Sequence, residues 1–378
     1  MQGLAEKIGA WGRGVPEESG AWLVLQTLPG MSPERLNRLM EAYEGPAEAL
    51  RASGPEFTRL AGRRAAEALR RESPDDISRR IRREAEKEGV RIIARSDPGF
   101  PAPLKDIYAP PGAMFVKGDI WEKDALGVAV VGMRSPSAYG RRAARNLAGA
   151  LAERGITIVS GLAKGIDAEA HRAALEAGGR TIAVLGCGFR VDYPAGHADL
   201  RREIAESGAI LTELGWDAPA RAENFPRRNR LISGLSMATV VVEAAQRSGA
   251  LITARLALEQ GREVMAVPGP IDSTRSGGCH RLIKEGAHLV ESVEDILDAL
   301  PGYIRDSLSP GEAPRPAPSP ALADDEAAVM NCLAEGANTA EDLVKGANLR
   351  PEKVSAALLN LELEGLVRQS EGGLYERS

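Results

Sequence analysis

Between residues 128 and 290 the chain repeats one unit: a short apolar run, a turn rich in small residues, then a stretch whose apolar positions recur at helical spacing. The apolar runs fall at residues 128–131, 156–160, 181–185, 209–214, 239–243, 263–267 and 287–290. Strands that are apolar throughout, rather than alternating, must be covered on both faces, and helices between them supply the cover. In the intervening stretch 140–154, Ala143, Ala144, Leu147, Ala148 and Leu151 share one helical face. The pattern predicts an α/β fold over residues 76–300, an extended Rossmann-like, doubly wound parallel sheet. Two earlier apolar runs, at 90–94 and 114–116, are expected as extra edge strands.

The flanks read differently. Residues 1–75 are expected to form a small helical domain. Leu28-Pro29-Gly30-Met31-Ser32-Pro33 ends one helix, turns on glycine, and opens a second with Ser as N-cap and Pro at its first position. A further helix-break-helix follows from Gly54 to Leu69. The spacing resembles helix-hairpin-helix or SAM-like modules, whose glycine turns offer N–H groups to phosphate; a plain packing domain fits equally well. Arginines at 63, 64, 70, 71, 79, 80, 82 and 83 are interleaved with acids, as on a solvated face. Residues 301–320 contain Pro301, Pro310, Pro314, Pro316, Pro318 and Pro320, the composition of an extended linker. Residues 321–378 then give three helices, at 324–335, 339–344 and 350–365, and a hairpin turning at Gly372-Gly373, which is winged-helix order. The third helix opens Pro351-Glu352-Lys353-Val354-Ser355, with few cations for a DNA groove. Residues 301–378 hold 7 Lys and Arg against 13 Asp and Glu, so the wing reads as a protein contact or regulatory element.

Composition excludes several classes. No apolar run approaches the roughly 20 residues of a membrane helix, and the first 30 residues lack the order of a secretory signal. Cys187, Cys279 and Cys332 lie far apart, and the 4 histidines are scattered, so no metal framework is expected and the thiols suit a reducing cytoplasm. The net charge of −5 comes almost entirely from the tail, and a balanced core can still converge its arginines on one face.

The candidate chemistry lies at the strand ends. The first strand leads into Gly132-Met133-Arg134-Ser135-Pro136, with a helix after Gly140. A strand, a glycine turn and a helix N-terminus make either a plain turn or an anion site. The motif is not GxGxxG, and Ser160 stands where a ribose-binding acid would end the second strand, so no dinucleotide cofactor is expected. The second strand runs into Ser160-Gly161-Leu162-Ala163-Lys164-Gly165-Ile166-Asp167, with Lys164 as the charge and Asp167 read as an N-cap. The third ends in Gly186-Cys187-Gly188. The densest cluster is Phe225-Pro226-Arg227-Arg228-Asn229-Arg230: three guanidinium forks and an amide, with no acid, beside an aromatic ring. It suits phosphates and an unpaired base, or else a structural network tied to Glu223 and Glu243. Ser248-Gly249, with Thr253, opens another helix with a small polar end.

Taken in order, VGMR, SGLAKGID, GCG with YP, FPRRNRLISGLS, VVVEAAQRSGALITARLALEQGREVMAVPG and LIKEGA resemble the DprA/Smf family across about residues 120–290. The resemblance implies a DNA-processing protein with no catalytic residues. It would bind single-stranded DNA at the strand ends, act as a homodimer, protect incoming DNA and load the RecA recombinase during natural transformation. By position it assigns Gly132, Arg134, Ser160, Gly161, Lys164, Gly165 and the stretch from Arg227 to Arg230 to DNA. Met133 departs from a usual Ser or Thr, and His280 from a usual asparagine. Tyr193-Pro194-Ala195-Gly196-His197 lacks the polar or basic residues common there, and the reading assigns it nothing. The rival reading is a nucleotide-processing N-glycoside hydrolase of the lonely-guy type, with Glu243 near Arg230 as its acting pair. That family's PGGxGT loop is missing; Val267-Pro268-Gly269-Pro270-Ile271-Asp272 stands instead.

Overall fold

The computed structural model describes residues 17–52, 54–300, 323–334, 339–363, 366–369 and 374–377. The chain divides into two compact units, residues 1–311 and 312–378. The proline-rich segment 301–320 and the Gly372-Gly373 turn lie outside the described residues.

The described residues of the first unit begin with six helices: α1 (Glu18–Thr27), α2 (Pro33–Ala42), α3 (Pro46–Arg51), α4 (Pro55–Ala61), α5 (Arg63–Arg71) and α6 (Pro74–Lys87). Ser32 caps α2 as its sequence foretells, accepting from the Arg35 N–H, and Pro33 occupies the first helical position. The Arg35 guanidinium donates to the carbonyls of Gly30 (2.7 Å) and Ala61 (3.3 Å), tying the two helical breaks together from within. Helix α6 belongs to this cluster, since Ile77, Ile81 and Ala85 pack with Leu23, Leu39 and Phe57. The helical layer therefore continues past residue 75, up to the first strand.

Nine strands form a single sheet: β1 (Arg91–Ala94), β2 (Ala113–Gly118), β3 (Val128–Val131), β4 (Ile158–Ser160), β5 (Thr181–Val184), β6 (Ala209–Thr212), β7 (Ala238–Val241), β8 (Glu263–Ala266) and β9 (His288–Leu289). Their order is β1-β2-β6-β5-β4-β3-β7-β8-β9. The strands from β3 to β9 are parallel; β1 and β2 are antiparallel additions at one end. Only β1 of these two is an edge, because β2 lies between β1 and β6, which corrects the expectation of two edge strands. Side chains of β2 alternate: Ala113 and Phe115 enter the helical cluster, while Met114 and Val116 face the other layer.

The intervening helices are α7 (Ala138–Glu153), α8 (Ile166–Glu176), α9 (Ala198–Ser207), α10 (Asn224–Gly234), α11 (Ala250–Glu259), α12 (Gly277–Lys284) and α13 (Val293–Ala299). One face of the sheet is covered by α7, α8, α9 and α13, the other by α10, α11 and α12. This is a doubly wound α/β fold whose strand order reverses direction between β3 and β7, where ligand crevices usually open.

The second unit contains α14 (Asp324–Ala334), α15 (Ala340–Ala347), α16 (Pro351–Leu363) and the antiparallel pair β10 (Val367–Gln369) and β11 (Tyr375–Arg377). Val329, Leu343, Val354, Leu358, Leu361 and Val367 make its core, a winged-helix arrangement. Lys353, the cation at the start of α16, is paired with Asp325 at 2.8 Å, while Leu359 on the same helix is exposed.

Candidate nucleic-acid interface

Three neighbouring strand ends assemble the site. From the end of β3, Arg134 reaches over the Phe225 ring, its guanidinium carbon 5.1 Å from the centroid, and donates to the Tyr193 hydroxyl at 3.3 Å. The Tyr193 and Phe225 rings lie 5.2 Å apart and tilted by 40°. Phe225 comes from the first turn of α10 and Tyr193 from the loop after β5, so two distant segments build one aromatic step. The step sits over the end of β5, because a side chain at Gly186 would collide with the Phe225 ring. Gly165 brings the second turn against the first: its φ of +83° suits glycine, and a Cβ there would strike the Met133 carbonyl. Gly132 packs in the same way on Ile166. Arg134 and Lys164 are exposed, and neither has a carboxylate ion-pair partner among the described residues. Tyr193 stands in the Tyr-Pro pair of the motif order, but the sequence reading assigns its segment no role, and only the fold brings it to Phe225.

The arginine block splits by helical geometry, because neighbouring positions on a helix face directions about 100° apart. Arg227 points outward, toward Glu34 on α2. Burial pushes the Glu34 carboxyl up, but the Ser32 hydroxyl and its own N–H, then Arg227 and Arg230, outweigh it and leave it below its usual range. Arg228 and Arg230, expected to contact DNA, are buried at 5% and 6% exposure. Arg228 donates to the Gly161 carbonyl at 2.6 Å and to the Val184 carbonyl, closing the gap between β4 and β5. Burial brings its guanidinium down to about 10. Arg230 is ion-paired with Glu213, which also corrects the alternative network partners, Glu223 and Glu243. The Glu213 carbonyl accepts from Gln26 of α1, and the Gln26 amide oxygen accepts from the Gly112 N–H, so the pair adjoins the junction of helical layer and sheet. Asn229 is half-buried, accepting from Arg228 and donating to Gly249 at 3.5 Å.

Three further assignments turn inward. The Ser160 hydroxyl is fully buried and donates to the Val130 carbonyl at 2.7 Å. Thr253 lies inside α11 at 2% exposure. Gly188 is buried under the Trp216 carbonyl, its N–H bonded to Ala218 at 2.9 Å. Ser248 accepts from the Ala250 N–H in a local turn beside exposed Gly249.

Asp167 is not the N-cap of α8. Gly165 holds that position, and the Asp167 carboxylate reaches back to accept from the N–H groups of Gly161 (3.1 Å) and Ala163 (3.3 Å). Gly161 is thus held at its N–H by Asp167 and at its carbonyl by Arg228. Burial pushes the Asp167 carboxyl up against the pull of Arg228 and these N–H groups. The anion position after β3 is likewise filled from within. Glu243, at the end of β7, accepts from the Ser137 N–H (2.9 Å) and hydroxyl (2.6 Å), and a side chain at Gly140 would run into its carboxylate. An internal carboxylate therefore occupies the crevice between β3 and β7, and exposed positive charge moves over β3, β4 and β5. Because Glu243 holds Ser137, the N-cap of α7, and Arg230 pairs with Glu213, the Glu243–Arg230 pair of the hydrolase reading is not assembled.

The family model described as DNA recombination-mediator protein A matches residues 91–301, more than half of the chain. The chain belongs to that family. A model of the DprA winged helix domain matches residues 313–373. Protein Smf of Escherichia coli is 43% identical over 300 residues, covering 76% of this chain and 78% of its own. Protein Smf of Synechocystis is 32% identical over 393 residues, covering 95% and 99%. Among solved structures, DNA processing protein A of Streptococcus pneumoniae aligns with a TM-score of 0.63 at 35% identity, covering 74% of this chain and 96% of that one. The Helicobacter pylori protein aligns at 0.51 and 28% identity, covering 57% and 96%, and its structure was described for its single-stranded DNA binding mode. The DprA/Smf resemblance and the fold class read from the sequence are thereby established.

Proposed function

We propose that the protein binds single-stranded DNA across the carboxyl ends of β3, β4 and β5 and carries out no chemistry on it. The observation that carries this reading is the Arg134–Phe225–Tyr193 step beside Lys164. An exposed cation held over an aromatic ring offers a base an aromatic surface and a phosphate a charge, without regard to sequence. Arg134, Lys164 and Arg227 are the phosphate contacts of this reading. Gly132, Gly161, Gly165, Gly186 and Gly188 let backbone and rings approach, and Asn229, Ser248 and Gly249 border the site. Arg228, Arg230, Ser160 and Thr253 hold its shape from inside. The family's recombination-mediator description supports a role in DNA recombination; we extend this to a cytoplasmic homodimer that protects incoming DNA and loads the RecA recombinase in natural transformation.

The test is filter binding with labelled oligonucleotides in both forms. Single strands should bind at least tenfold more tightly than the matching duplex at moderate salt, because a duplex keeps its bases stacked away from the ring (about 1.4 kcal/mol per tenfold). Equal affinity for the two forms would refute the stacking site.

The winged-helix unit is proposed as a protein contact, since the cation opening α16 is already paired and the tail is acidic. A chain ending at residue 310 should stay folded and keep its single-strand affinity within about twofold (about 0.4 kcal/mol). A loss of tenfold or more, with folding intact by circular dichroism, would make the wing part of the DNA site.

A further inference from the structure

A second cluster of unpaired charge and exposed aromatic surface lies at the opposite end of α10. There the segment leading into β2 passes beside α2 and borders a shallow, open surface cavity of about 330 Å³. Tyr108 stands on its rim with 74% of its surface exposed, although the backbone on either side is anchored. Ile107 is buried against Gly234, the last residue of α10, and Ala109 is buried at 1% exposure with φ at +54°. A left-handed alanine is unfavourable unless its surroundings impose it. Here Ala109 is buried, and the neighbouring Tyr108 ring is held out in solvent between two buried residues.

Two cations face the same cavity. Arg95 is half-buried over the Trp22 ring, 5.4 Å from its centroid, and Lys105 is exposed. Neither makes an ion pair with a carboxylate among the described residues, whereas Arg79, Arg80 and Arg91 nearby in sequence all do. Asn37 and Glu41 of α2 line the opposite wall. Cations for a phosphate, a ring for a base, and an amide with a carboxylate for a base edge are the parts of a nucleotide site.

We propose that this cavity is a second subsite for the same single strand, holding one nucleotide with its base on Tyr108 and its phosphate between Arg95 and Lys105. Glu41 and Asn37 face the base edge, and a carboxylate there accepts from the exocyclic amino group of cytosine, adenine or guanine, which thymine lacks. The inference rests on the reading that the strand enters over β3, β4 and β5. Helix α10 joins the two places: Phe225 in its first turn belongs to the first site, and Gly234 at its end supports the Tyr108 loop. Its 11 residues span about 16 Å. A short oligonucleotide therefore occupies the first site alone, and a longer one reaches both.

The test compares deoxycytidine oligonucleotides of about 6 and about 20 nucleotides on the full chain by fluorescence anisotropy, with Tyr108→Ala, Lys105→Ala and Tyr108→Trp. Both native side chains are exposed, and melting curves check that the variants are folded. Tyr108→Ala and Lys105→Ala should each weaken the long strand by about fivefold or more and leave the short one within twofold, while Tyr108→Trp keeps wild-type binding of both. If Tyr108→Ala does not fold, Lys105→Ala gives the same comparison. Wild-type affinity of both alanine variants for the long strand overturns the subsite and leaves the first site standing. Equal weakening of both lengths also overturns it, because the loss would then belong to the first site. A wild-type protein that binds neither length removes both.

Discussion

Glu213→Ala should destabilise the first unit by about 3–5 kcal/mol, the usual consequence of stranding one partner of a buried ion pair. Arg230 is buried, its Nε and Nη1 already lack hydrogen-bond partners among the described residues, and Glu213 carries the opposing charge. Removing the carboxylate leaves a guanidinium in a low-dielectric interior with nothing to balance it. A fall in melting temperature of roughly 10 °C is the expected scale. Glu213→Leu combined with Arg230→Met should recover most of the loss, since matched apolar side chains remove both desolvation penalties together. Denaturant unfolding of the three proteins measures this. Near-wild-type stability of Glu213→Ala would show that Arg230 reaches solvent and remains available to a ligand.

The second large effect falls on DNA and leaves stability alone. Arg134→Ala with Lys164→Ala should reduce single-strand affinity by about 100-fold, taking about 1–1.5 kcal/mol for each charge-assisted contact after solvent screening. Arg134 contributes twice, as a charge and through its cation–π contact with Phe225. The melting temperature should move by no more than about 2 °C, since exposed side chains away from caps and cores usually matter by under 0.5 kcal/mol. The contrast with Glu213→Ala separates the outward half of the arginine-rich region from the inward half. If the double alanine variant melted early and bound DNA normally, the roles assigned to the two halves would be exchanged.

Much of the fold was legible because each signal was local. Apolar runs ending in small residues marked the parallel strands, and Ser32-Pro33 marked the start of α2. The site was legible only by region. Arg227 and Arg228 are adjacent and chemically identical, and what separates them is the direction each takes from α10 relative to a sheet the sequence does not display. A charged residue ending an apolar strand, as Glu243 does, signals a buried carboxylate that needs partners. Its partner, Ser137, lies 106 residues away and no spacing connects them. Asp167 carries the composition of an N-cap, but the glycine before it takes the cap and frees the carboxylate to hold Gly161. The Tyr193-Pro194 pair was visible in the motif order but not its role, because that role comes from the Phe225 ring and the Arg134 guanidinium that tertiary folding sets beside Tyr193.

The most direct test of the account is the salt dependence of single-strand binding in the wild type and in Arg134→Ala. Each phosphate contact releases condensed counterions, so the logarithm of affinity falls linearly with the logarithm of salt concentration, by about 0.7 per contact on a single strand. The account predicts a steep slope for the wild type and a slope shallower by about 0.7 for Arg134→Ala, with weaker binding at every salt concentration. Identical slopes and identical affinities for the two proteins, both correctly folded, would contradict it.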